Sequence, residues 1–174
     1  MRIGIDARFL GLKVGIGRYT EKLIEHLEKN DNQNDYFIFV KKQNFNLYCP
    51  TNKRFHRVLA DDQWYSFREQ IFFPHRLYKQ RLDLVHFLHF NVPLLYFGKF
   101  IITIHDLTQR NLTKEASKLP WLFFLFKKAA YRLIIWSALR RSEKIITVSN
   151  FTKQQIIKYY NVNPEKISVV YESC

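Results

Sequence analysis

The chain has 174 residues, of which 47% are hydrophobic and 17% aromatic; that suits one domain with a sizeable core and excludes a disordered segment. Its formal charge of +13 predicts attraction to a polyanion: nucleic acid, an anionic membrane surface or phosphorylated substrates. No apolar run is long enough to span a bilayer, and Asp6 and Arg8 interrupt the early stretch where a signal peptide would stand. Cys49 and Cys174 show no metal spacing, so the expectation is a reduced, cytosolic protein without a disulfide framework.

Taken in order, Ile3 to Asp6 reads as a strand. Gly15-Ile16-Gly17-Arg18-Tyr19 reads as a glycine-rich turn, and Arg18 to Lys29 as an amphipathic helix. Such a turn can present backbone N–H groups to an anion at a helix N-terminus. Thr20 stands where a third glycine of a dinucleotide fingerprint would be, so a plain surface turn is an equal reading. Tyr36 to Val40 is a continuous apolar strand and Phe55 to Leu59 a weaker one. Asp61 or Asp62 is placed to cap a helix running to about Lys79, which Pro74 should bend or interrupt. Strands follow at Leu82–Leu88 and Phe100–Ile104, then a long helix between about Leu119 and Arg141. A strand at Ile145–Val148, a helix from Ser149 or Asn150 to Tyr160, and a strand at Ile167–Tyr171 complete the order.

Strands apolar throughout, alternating with helices, predict a Rossmann-like three-layer α/β domain with a mostly parallel sheet of about seven strands. Ligands of such sheets bind beyond the carboxyl ends of the strands. That rule selects Asp6 and Arg8, His86 and His89, His105 and Asp106, and Ser149. His105 and Asp106 could bond sugar hydroxyls or polarise a reacting group, or simply serve as a loop histidine and a cap. His86, His89 and Asn91 lie close in sequence, but no cysteine or carboxylate completes a metal set, and no metal is expected.

Between Arg110 and Lys144 nine Lys or Arg face two Glu, a net of +7. Within this region Trp121, Phe123 and Phe124, followed by Lys127 and Lys128, exceed what one core-facing stripe needs. They suit contact with an anionic membrane or a lipid acceptor; the competing reading is a core helix. Basic and aromatic residues also interleave in single-strand nucleic-acid binders. No recognised nucleic-acid motif appears, and nucleic acid is not the expected partner.

Several motifs in one order resemble the N-terminal half of a family 4 retaining glycosyltransferase of the two-Rossmann-domain (GT-B) type, mannosyltransferase-like branch. They are Gly4-Ile5-Asp6-Ala7-Arg8, Gly15-Ile16-Gly17-Arg18-Tyr19, Glu69-Gln70 with Pro74, and Leu82-Asp83-Leu84-Val85-His86 with Pro93. Thr103-Ile104-His105-Asp106-Leu107, Ile146 to Lys153, and Lys166 to Tyr171 follow. The resemblance implies that residues 1–174 form the acceptor-side domain, with the donor-binding domain absent and no activity alone. It implies a cleft where Gly15, Ile16, Gly17 and Arg18 approach the donor diphosphate or acceptor. His105 and Asp106 would lie near the transferred sugar, and Ser149 and Lys153 along the same edge, with Asp6, Arg8, His86, His89 and Asn91 in the acceptor cleft. The substrates implied are a nucleotide sugar and a glycan or lipid-linked acceptor, with no cofactor and no metal. Remaining partners would be a second chain or the C-terminal domain, and the inner face of the membrane, where the protein would be peripheral. The alternative is a non-catalytic membrane-associated scaffold with the same fold.

Overall fold

Seven short apolar segments pair edge to edge in the computed structural model, which describes residues 1–12, 15–108 and 120–172. They are β1 (Arg2–Asp6), β2 (Asp35–Val40), β3 (Phe55–Leu59), β4 (Leu84–Phe87), β5 (Phe100–Ile104), β6 (Lys144–Thr147) and β7 (Ile167–Val169). The sheet order is β3-β2-β1-β4-β5-β6-β7, and every neighbouring pair is parallel. Among the described residues, four α-helices accompany them: α1 (Gly15–Asn30), α2 (Phe67–Lys79), α3 (Trp121–Arg141) and α4 (Asn150–Tyr160).

Parallel strands need crossovers, and the right-handed crossover decides which face each helix covers. The step from β1 to β2 runs toward one edge of the sheet. The steps from β3 to β4, β5 to β6 and β6 to β7 run toward the other, which places α1 on one face and α2, α3 and α4 on the opposite face. The core divides accordingly. Ile24 of α1 packs with Ile5, Ile38 and Leu88, while Phe73 of α2, Ile135 of α3 and Ile156 of α4 pack with Phe39, Phe87 and Ile102. Phe39, Phe73 and Phe87 are fully buried, each stabilising the fold by about 1.5–3 kcal/mol.

Three local expectations change. The glycines are not a turn ahead of the helix; they form the first turn of α1, which begins at Gly15. The second helix starts at Phe67 rather than beside Asp61 or Asp62, because Ser66 Oγ accepts the Glu69 N–H at 3.1 Å and caps it. The aspartates are engaged elsewhere: Asp62 pairs with Arg76 at 3.0 Å, and Asp61 accepts the Lys42 N–H at 3.2 Å. Pro74 does not interrupt α2, whose burial of Phe73 and Leu77 carries it through to Lys79. The fourth and last strands are shorter than expected, and the long helix begins at Trp121. Arg110, Lys114, Lys118, Leu119 and Cys174 lie outside the described residues.

Candidate active site

Strand order reverses between β1 and β4, which start their crossovers in opposite directions. At such a switch point the loops leaving the carboxyl ends diverge and open a crevice. A cavity of about 360 Å³ lies at this edge, lined by Gly15, Ile16, His89, Phe90, His105, Asp106, Val148 and Glu172. The sheet thereby gathers residues separated by up to 157 positions (from 15 to 172). The geometry assembles five of the residues singled out in the sequence: Gly15, Ile16, His89, His105 and Asp106.

His105 follows β5 directly. Its Nε2 faces the Leu88 carbonyl at 3.2 Å and so donates to it, while Nδ1 lies 3.1 Å from Glu172 Oε1. The Tyr19 ring meets the imidazole edge-on with centroids 4.9 Å apart. Both ring nitrogens are thus engaged, and a ligand group that binds Nδ1 must take the place of Glu172, whose side chain is 43% exposed. Asp106 is exposed and accepts the Thr108 N–H at 2.9 Å, holding the loop that presents His105. His89 accepts the Asn91 N–H at Nδ1 (3.3 Å), which leaves its proton on Nε2. Burial, aided by the neighbouring His105, lowers the His89 pKa to about 4, so the ring is neutral at physiological pH.

The remaining candidates lie beside the cavity rather than in it. His86 is buried within β4, with Nε2 2.9 Å from Thr103 Oγ1; burial lowers its pKa to about 4. Asp6 and Arg8 form a buried pair: Arg8 Nε and Nη2 donate to the two Asp6 carboxylate oxygens, each at 2.8 Å. Arg8 Nη1 lies 2.7 Å from Glu69 Oε1, a charge contact outside hydrogen-bond alignment. Asn91 Nδ2 donates to both Glu69 oxygens at 2.8 and 3.0 Å, and the Arg8 guanidinium covers the Phe73 ring at 3.8 Å. Burial alone would weaken the Arg8 charge, but Asp6 and then Glu69 outweigh it and hold the pKa above its ordinary value. Burial raises the Glu69 pKa against the pull of Arg8. This network ties the loop after β1 to the first turn of α2.

Ser149 Oγ accepts the Thr152 N–H at 3.1 Å and caps α4. Lys153 Nζ donates to the Ile167 carbonyl at 3.0 Å, turned toward β7. Gly17 is buried, and a Cβ there would lie 2.0 Å from the Leu12 carbonyl oxygen, whereas one on Gly15 meets nothing within 4 Å. Gly17 therefore serves the close approach of two backbone segments, and Gly15 faces the opening. Arg18 is exposed and outside the cavity lining. On α3, Trp121 and Phe123 are exposed, whereas Phe124 turns inward at 9% exposure and does not belong to the outer surface. Among the described residues no group of three His, Cys, Asp or Glu side chains is placed to hold a metal ion, and no helix is long and apolar enough to cross a membrane.

Phe90, Val148 and Glu172 were not singled out from the sequence. Val148 stands one residue past β6, where the strand-end rule applies once the strand is ended at Thr147. Glu172 follows β7, and nothing local marks it; only the fold brings it to His105.

An all-parallel doubly wound sheet with a cleft at its switch point defines a Rossmann-type ligand-binding domain. The profile of Glycosyltransferase Family 4 matches residues 14–172, and the chain belongs to that family. The O-antigen chain mannosyltransferase RfbU of Salmonella typhimurium is 32% identical over 87 residues, covering 49% of this chain and 21% of that protein. The crystal structure of a glycosyltransferase from Rickettsia africae superposes with a TM-score of 0.50 and 16% identity, over 99% of this chain and 42% of that one. The chain thus spans about a fifth of the curated relative and less than half of the solved neighbour.

Proposed function

We propose that these residues form the acceptor-side half of a retaining glycosyltransferase that moves a hexosyl group, of mannosyl type, from a nucleotide sugar to a glycan or lipid-linked acceptor. The observation that carries the reading is the cavity at the switch point, where two imidazoles, two carboxylates and the open face of Gly15 converge. Neutral His89 offers one N–H donor to a hydroxyl, and His105 offers Nδ1 once Glu172 yields. Such groups position an acceptor and stabilise developing charge rather than form a covalent intermediate. The reading includes transfer without a metal or other cofactor, a donor-binding unit not contained in these residues, and a peripheral position on the cytoplasmic face of a membrane. The mannosyltransferase relative supports the sugar class.

The test titrates the isotope-labelled chain with GDP-mannose and with short mannosides, following the imidazole resonances, and assays sugar transfer in parallel. Mannosides should shift the His89 and His105 signals, His105→Ala should abolish the response, and no transfer should occur. Shifts confined to residues away from the cavity would overturn the site, and transfer by the 174 residues alone would overturn the division of labour.

A further inference from the structure

Glu69 does not line the cavity, yet its contacts reach three separate loops at the carboxyl edge of the sheet. Its place on α2 has a local cause: Ser66 Oγ accepts the Glu69 N–H at 3.1 Å, the first half of a capping box. In the usual second half the carboxylate returns to the N–H of the capping residue. Here it reaches one residue further, and the Tyr65 N–H donates to Glu69 Oε2 at 2.6 Å. That bond holds Tyr65 at a φ of 60°, a left-handed conformation that is rare for a bulky side chain. The same carboxylate accepts from Asn91 and lies against Arg8. Helix capping needs none of these last contacts, and a fully buried carboxylate is costly unless its partners matter. The sequence singles out Glu69-Gln70 as a motif but gives it no role.

Each of the three partners adjoins an aromatic ring. Arg8 precedes Phe9 in the loop after β1, and Tyr65 follows Trp64 in the loop after β3. In the loop after β4 the Asn91 N–H donates to His89 Nδ1 at 3.3 Å. The rings form one stack. Trp64 and Phe9 lie 14° from parallel with centroids 4.6 Å apart, and Phe9 meets the His89 ring at 5.3 Å. Lys41, the first residue past β2, adds a cation to the same indole, with Nζ 3.4 Å from the ring centroid. Trp64 Nε1 is buried and finds no hydrogen-bond acceptor among the described residues, although a buried indole N–H ordinarily finds one. Ring stacking and the cation, rather than a hydrogen bond, therefore decide where the indole sits.

We infer that Glu69 is a positioning residue for His89: by fixing Arg8, Tyr65 and Asn91 it sets the Trp64–Phe9–His89 stack, and with it the direction of the His89 Nε2–H. His89 is the member of the stack that lines the cavity. Its Nδ1 is committed to the Asn91 N–H and its ring meets Phe9, so Nε2–H is the donor left for a ligand oxygen. A donor held in place before the ligand arrives loses little freedom on binding, which is the gain that preorganisation brings. Three loops that leave different strands thus take their order from one side chain on the first turn of a helix. That the ligand oxygen belongs to a sugar acceptor rests on the reading of the cavity given above; the holding of the imidazole does not.

The test reads the imidazole first without a ligand and then with methyl α-mannoside. In long-range proton–nitrogen spectra of the 174-residue chain at neutral pH, His89 should show one tautomer, with its proton on Nε2. Glu69→Gln, which keeps the size of the side chain, should release the ring, so that the His89 signals average between the two tautomers. Phe9→Leu and Trp64→Leu should do the same, whereas Trp64→Phe keeps an aromatic ring in the stack and should retain the parental spectrum. Mannoside affinity should fall about threefold to tenfold wherever the tautomer is lost, the worth of one hydrogen bond, and should be parental in Trp64→Phe. Urea midpoints are measured alongside, because a merely structural role lowers them and leaves the tautomer of the folded chain unchanged. Phe9 is half-buried, so Phe9→Leu remains folded and decides the matter even where Glu69→Gln does not fold. A parental His89 tautomer in folded Phe9→Leu or Glu69→Gln would overturn the inference. A parent that binds no mannoside would refute the acceptor reading alone, since the tautomer spectra are recorded without ligand.

Discussion

Gly15 and Gly17 lie two residues apart in the first turn of α1, yet the structure assigns them opposite tolerances. A Cβ on Gly17 would fall 2.0 Å from the Leu12 carbonyl oxygen and 2.8 Å from its carbon. Those are backbone atoms, so no rotamer change relieves the clash; the segment carrying Leu12 must move away from α1. Overpacking of this kind costs about 1–3 kcal/mol, against a gain of up to about 1 kcal/mol from replacing glycine within a helix. Gly17→Ala should therefore destabilise the chain, and Gly17→Val more so. At Gly15 the added methyl meets nothing within 4 Å, and Gly15→Ala should stabilise by about 0.5 kcal/mol through the unfolded chain. Urea unfolding followed by far-UV circular dichroism measures both, with the slope checked for constancy. Equal midpoints for Gly17→Ala and Gly15→Ala would refute the packing argument. Gly15→Val projects into the cavity mouth and should weaken mannoside binding without loss of stability.

Two further outcomes follow from buried charge. Arg8→Met removes the cation that is hydrogen-bonded to Asp6 and paired with Glu69, both buried; it should cost about 3–5 kcal/mol, much of which Asp6→Asn with Glu69→Gln should restore. A cost below about 1 kcal/mol, read from the urea midpoint, would show that the network adds little. Burial lowers the His86 pKa from 6.5 to about 4, so between these values the unfolded chain takes up a proton that the folded chain refuses. Its contribution to stability is present above about pH 6.5 and is lost as pH falls toward 4, about 2–3 kcal/mol over that window. His86→Gln should flatten the acid side of the stability profile by roughly one proton, leaving the similar contribution of His89; an unchanged slope would contradict the burial argument.

Much of this protein follows from local rules. Continuous apolar runs such as Tyr36 to Val40 are possible only for strands buried on both faces, and their alternation with helical periodicity yields the doubly wound sheet. The strand-end rule located His89, His105 and Asp106, because a parallel sheet puts every carboxyl end on one edge. What local rules left open was which polar residue faces the cavity. Asp6, Arg8, Asn91, His86, Ser149 and Lys153 occupy strand ends or caps like the others, but each finds its partner within the fold: Arg8 with Asp6 and Glu69, Asn91 with Glu69, His86 with Thr103, Lys153 with the Ile167 carbonyl. Those pairings depend on contacts between elements up to 61 positions apart (from 8 to 69), which periodicity does not encode. The glycine turn divides along the same line. Its helix-opening position was legible from spacing, whereas the separate roles of Gly15 and Gly17 depend on where the Leu12 carbonyl lies. The basic, aromatic character of Trp121 to Lys128 is likewise written in the chain. That Phe124 turns inward, and that Phe67 and Ile71 of α2 extend the outer surface, was decided by the right-handed crossovers that put both helices on one face.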